Sequence, residues 1–90
     1  MKRPWKWFVY IIECNDGLYY TGMTWNPAIR FEQHLSGFGS KFTAKHGAKR
    51  VVYIEEHEDL YVARRRERQI KDFSRENKNK LISGVWGKEW

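Results

Sequence analysis

The sequence predicts a small α+β fold: a three-stranded, at least partly antiparallel sheet flanked by helices, in the order ββαβα with a short C-terminal helix. Two observations carry the sheet. β-branched and aromatic runs lie on either side of a turn signal at 15–17, and a third such run, "RVVYIEE", follows at 50–56. A third observation carries the helices: capping residues open segments whose apolar residues recur at helical spacing.

The elements follow in order. Residues 7–14, "WFVYIIEC", form the first strand, "NDG" turns the chain, and 18–24, "LYYTGMT", form the second. Asn26-Pro27 opens a helix, with Asn as cap, Pro at the first helical position and Gly37 past the end; its apolar face includes Ala28, Phe31 and Leu35. Residues 37–49, with three glycines and several lysines, read as a basic loop with room for one helical turn. After the third strand, Asp59 caps a second helix with Leu60, Ala63, Ile70 and Phe73 inward. Residues 75–83 give the short last helix, ended by Gly84, and the tail "VWGKEW" lays Trp86 back on the body.

The hairpin register decides which tyrosines share a face. A two-residue loop, Asp16-Gly17, sets Tyr20 opposite Glu13 and puts Tyr10 and Tyr20 on opposite faces. A three-residue loop, Asn15-Asp16-Gly17, pairs Ile12 with Tyr20 and Tyr10 with Gly22, so that Tyr10 and Tyr20 share a face and Tyr19 packs on the other. Asn, Asp and Gly suit the successive positions of the longer loop, which is favoured. Gly22 then leaves open space over the Tyr10 ring, where a ligand backbone could approach; the plainer reading is a glycine marking a bulge.

Ninety residues, 17% of them aromatic, are expected to make one domain, 1–90, with a small core. Such a chain buries about 60–65% of the surface that it exposes unfolded. The single cysteine, Cys14, cannot form an internal disulfide and is read as a buried small hydrophobe in a reducing compartment. Lys6, Glu13 and Asp16 break the apolar N-terminal run, so neither a signal peptide nor a membrane span is read, and a cytoplasmic location is expected.

The net charge is +6, and residues 64–80 hold eight Lys or Arg against three acids. A second basic cluster is Lys41, Lys45, Lys49 and Arg50, with His46. Localised positive charge points to a polyanion such as nucleic acid, or more plainly to a solvated helix face. On the first helix Arg30 and His34 stand one turn apart. On the second, Glu67 falls within the inward stripe of Leu60, Ala63 and Ile70. A carboxylate there needs an ion pair, with Arg30 or Arg64, or a metal. No Cys/His cluster suggests zinc, and no phosphate-binding glycine loop is present.

"VYI" at 9–11, then "YTG" at 20–22, resembles the paired signature of the GIY-YIG nucleases, although the first triplet lacks its glycine and Thr21 is the middle residue of the second. The family's helix arginine matches Arg30, the histidine or tyrosine a turn later His34, and the glutamate of the following long helix Glu67. A late polar residue seen in some members matches Asn77 or Asn79, while the basic residue that some carry after the second triplet is Met23 or Thr24 here. The resemblance covers nearly the whole chain and is to the short, stand-alone bacterial members.

The resemblance implies metal-dependent hydrolysis of DNA phosphodiesters, in repair, recombination or processing. It gives Glu67 a Mg²⁺ ion (Mn²⁺ as substitute) and gives Arg30 the phosphate. Tyr10, Tyr20 or His34 takes the proton from water; Tyr10 is favoured, with His34 tuning or relaying. Lys41, Lys45, Lys49, Arg64, Arg68, Lys71 and Arg75 would meet phosphates of a DNA, branched or structured, with RNA left open and a protein partner conceivable. The alternative is a non-catalytic nucleic-acid-binding module on the same basic and aromatic surface.

Overall fold

The computed structural model describes residues 6–84. The expected packing of Trp86 therefore lies outside the described residues. The elements run β1 (Trp7–Cys14), β2 (Tyr19–Thr24), α1 (Pro27–Leu35), α2 (Lys41–His46), β3 (Ala48–His57), α3 (Leu60–Lys71) and α4 (Arg75–Ser83). The sheet order is β2-β1-β3, and both pairings are antiparallel.

The hairpin uses the three-residue loop. Ile12 pairs with Tyr20 and Tyr10 with Gly22, while the Cys14 amide donates to the Leu18 carbonyl at 2.8 Å. Gly17 takes φ +87°, the left-handed position that closes such a turn. The turn is tied down from two sides. The Asn15 amide donates to the Gly47 carbonyl at 2.9 Å, and Arg75 Nη1 donates to the Gly17 carbonyl at 2.6 Å.

β1 is the middle strand, and its residues 9–12 are buried without alternation. Both sheet faces are covered, which is why the first strand is continuously apolar in sequence. On one face Val9 and Ile11 pack with Tyr53, Ala63, Ile70 and Leu81, and Tyr19 lies against that cluster. On the other, Tyr10, Ile12 and Cys14 pack with Tyr20, Phe31 and Val51.

Three expectations are corrected. The basic segment 37–49 contains a full short helix, α2, capped by the Ser40 side chain, which accepts from the Thr43 amide. β3 starts earlier than expected, at Ala48. On α1, Ala28 and Leu35 are not core residues: Leu35 is 64% exposed, and His34 takes the inward place at 1%. Burying an imidazole is tolerable only because both ring nitrogens find partners, one of them on α2.

Candidate active site

Tyr10 leaves β1 on the α1 side and is fully buried. Its hydroxyl lies 2.8 Å from His34 Nε2. His34 Nδ1 lies 2.8 Å from Thr43 Oγ1, which in turn is 2.8 Å from Ser40 Oγ. A neutral imidazole donates through one nitrogen and accepts through the other, so these four side chains form one directed hydrogen-bond row. Burial pushes the Tyr10 hydroxyl up to about 12, against a downward pull from the neighbouring Arg30. Burial, with the Arg30 charge, pushes His34 down to about 4, so it is neutral at physiological pH.

Tyr20, on the same sheet face, keeps part of its surface in solvent. Its ring centroid is 5.1 Å from that of His34, 6.5 Å from that of Tyr10 and 5.8 Å from that of Phe42. Arg30 sits one turn before His34, with Nη1 3.1 Å from Gln33 Oε1. Its charge acts on both Tyr10 and His34. Glu67 lies on α3, which packs on the Val9–Ile11 face of the sheet, away from Tyr10, and its negative charge is a minor influence on Tyr10. Its side chain is 21% exposed and lies 3.4 Å from Lys71 Nζ. Tyr10, Tyr20, Arg30 and His34 are thus one cluster, with Glu67 joined to it only by its minor charge effect.

Several residue readings change. Gly22 does not leave space for a ligand: a Cβ there would stand 2.5 Å from the Tyr10 hydroxyl and 2.6 Å from the ring carbon bearing it. The glycine makes room for Tyr10 itself. Tyr10, the favoured proton acceptor, is fully buried, and its hydroxyl faces His34. Arg75 is exposed and also serves the fold: besides holding the turn, its guanidinium stacks 4.2 Å over the Tyr19 ring. Asn79 accepts from the Tyr19 hydroxyl at 2.7 Å, on the sheet face away from Tyr10. Glu67 pairs with Lys71 rather than with Arg30 or Arg64. Lys41, Lys45, Lys49, Arg64, Arg68 and Lys71 are exposed, as a phosphate-facing surface requires.

Sequence reading missed three features. Thr43 anchors His34 from α2, and Gly39 makes room for that ring. The third is a buried ionic network on β3. Glu55 is 6% exposed and accepts from the Tyr53 hydroxyl at 2.6 Å and from Arg66 Nε at 2.9 Å, with His57 Nε2 also 2.6 Å away. Burial pushes its carboxyl up, but the hydrogen bonds from Tyr53, His57 and Arg66 outweigh that and hold it below the usual range. The alternation Tyr53, Glu55, His57 on one strand face was the available signal.

A Cβ on Gly39 would stand 2.6 Å from His34 Cγ and 2.8 Å from its Cα. Backbone cannot swing aside, so Gly39→Ala is expected to cost about 1–3 kcal/mol and to lower the melting temperature by about 5–15 °C. Thermal unfolding by circular dichroism measures this; an unchanged midpoint would show that the His34 environment is slack.

His34 also sets a pH dependence. Its folded pKa, about 4, lies below the ordinary value of 6.5, so the unfolded chain binds the extra proton first as pH falls. The stability due to neutral His34 is complete above about pH 6.5 and is lost as pH falls toward 4. Urea unfolding at pH 7 and pH 5 should show a larger loss for the wild type than for His34→Gln. Equal losses would remove His34 as the cause.

The family model for the GIY-YIG catalytic domain matches residues 6–80. A UPF0213 protein of Staphylococcus haemolyticus is 42% identical over 77 residues, which is 86% of this chain and 94% of the relative. A UPF0213 protein of Pseudomonas aeruginosa is 38% identical over 79 residues, 88% of this chain and 76% of the relative. The solution NMR structure of a UPF0213 protein from Bacillus halodurans is similar with a TM-score of 0.59 and 38% identity, covering 91% of this chain and 87% of that one. No helix among the described residues is long and apolar enough to cross a membrane.

Proposed function

The chain belongs to the GIY-YIG nuclease family, and on that premise we propose that it is a metal-dependent endonuclease hydrolysing DNA phosphodiesters, in cytoplasmic DNA repair, recombination or processing. One observation carries the reading: solvent-reaching Tyr20 and half-buried Arg30 flank a buried Tyr10–His34 pair.

Each residue then has a chemical role. Arg30 donates to the phosphate oxygens and stabilises the charge that develops on them. Of the three candidate proton acceptors Tyr20 alone reaches solvent; His34 is 1% exposed and Tyr10 fully buried. Tyr20 therefore takes the proton from the attacking water. The Tyr10–His34–Thr43 row fixes the wall against which Tyr20 and Arg30 are held. Glu67 fits Mg²⁺ or Mn²⁺ as a lone carboxylate, partly in solvent, whose Lys71 partner is itself 52% exposed and can move aside. The ion, when bound, neutralises charge on the phosphate and the leaving oxygen. The lysines of α2 with Lys49, and Arg64 and Arg68 of α3, carry the nucleic-acid backbone without reading sequence.

The test is cleavage of plasmid, branched DNA and RNA with Mg²⁺, with Mn²⁺ and with EDTA, by wild type and Arg30→Ala. Metal-dependent cutting by the wild type, slowed about 10²–10³-fold in Arg30→Ala, is expected. Binding without any cutting would favour a nucleic-acid-binding module instead.

A further inference from the structure

A cavity of about 390 Å³ lies beside the cluster, walled by Trp7, Met23, Trp25, Asn26, Ile29 and Arg30. It falls at the lower end of the sizes typical of ligand pockets. Arg30 is shared: one side of it borders this cavity, and its charge acts on Tyr10 and His34. Whatever enters the cavity therefore lies beside the Arg30 side chain.

The walls narrow the chemistry of the occupant. Trp25 is 55% exposed and Ile29 54%, so an aromatic face and an aliphatic one are presented to solvent. The Trp7 indole nitrogen is shut off from water and has no hydrogen-bond partner among the described residues. What Trp7 offers the cavity is therefore ring surface and not its N–H. Met23 supplies a soft, adaptable surface. A flat ring covalently linked to an anion that Arg30 can meet fits these walls.

We propose that this cavity is a nucleobase subsite: it takes one unpaired or extruded base of the strand whose phosphate lies on Arg30, stacking it on Trp25. The inference rests on the nuclease reading for the placing of that phosphate. A base inside a duplex offers only its edges, so filling the cavity selects strands with an unpaired nucleotide beside the scissile bond. Stacking on an indole tolerates every base, so the selection is for exposure of a base more than for its identity.

The test is equilibrium binding in EDTA, so that no strand is cut. The probes are a fluorescein-labelled single strand, the same strand with one abasic position moved along it, the matching duplex, and the single strand with 2-aminopurine at each position in turn. Wild type should quench 2-aminopurine at one position, and Trp25→Ala should lose that quenching. Trp25→Ala should bind the single strand about tenfold more weakly, with duplex affinity changed less than twofold. An abasic site at the quenched position should make wild type and Trp25→Ala bind alike. Equal binding of the intact strand by wild type and Trp25→Ala overturns the subsite, as does a Trp25→Ala loss that persists on every abasic strand. Base-dependent binding by a protein that cuts nothing keeps the subsite and removes the nuclease reading; cutting that ignores Trp25 does the reverse.

Discussion

Glu67→Gln is expected to leave a folded protein that binds DNA and cuts it at least about 10²-fold more slowly than the wild type. The substitution keeps the shape of the side chain and removes the charge that would hold Mg²⁺. In the folded chain Glu67 has an i,i+4 ion pair with Lys71, and pairs of that kind contribute only about 0.3–0.5 kcal/mol. A melting point within about 4 °C of the wild type is therefore expected. Single-turnover cleavage of a labelled branched DNA, with binding measured in parallel, separates the two effects. Cleavage at the wild-type rate would remove Glu67 from the chemistry.

The two tyrosines should respond in opposite ways. Tyr20→Phe removes the hydroxyl that reaches solvent, and a loss of about 10²–10³-fold in cleavage is expected, with little change in stability. Tyr10→Phe removes a buried hydroxyl and leaves His34 Nε2 without its partner at 2.8 Å. Orphaning a buried polar group costs about 1–3 kcal/mol, so the melting point should fall by about 5–15 °C. Cleavage well below that point should fall less than in Tyr20→Phe. A stable Tyr10→Phe with no activity would return Tyr10 to the role of proton acceptor and require the cluster to open during turnover.

The hairpin was legible because its turn chemistry is local: Asn15, Asp16 and Gly17 each suit one backbone position, and Gly17 takes the left-handed one. That fixed the sharing of a face by Tyr10 and Tyr20 before any tertiary contact was known. Helix α2 was hidden because most of its residues are exposed: Thr43 is its one buried residue, so no apolar period marks it. Ser40 as a cap was the remaining signal. The place of His34 in the core was hidden for the same reason, since its partner Thr43 lies on the unrecognised helix. Gly22 was correctly linked to Tyr10, but which of the two fills the space is a matter of side-chain direction. Glu55 needed Arg66, eleven positions on, to be seen as a buried pair. The contacts of Arg75 with the Gly17 carbonyl and the Tyr19 ring join positions 58 and 56 residues apart, which charge pattern alone does not reveal.

The central claim is that the cluster of Tyr20, Arg30, Tyr10 and His34, completed by Glu67, performs metal-dependent cutting. The most direct measurement is single-turnover cleavage of a branched DNA by the wild type as Mg²⁺ is titrated and then removed with EDTA. The prediction is that products accumulate with a saturable dependence on Mg²⁺ and stop on addition of EDTA. Bound DNA, branched or single-stranded, that stays intact at every concentration of Mg²⁺ and of Mn²⁺ would contradict it.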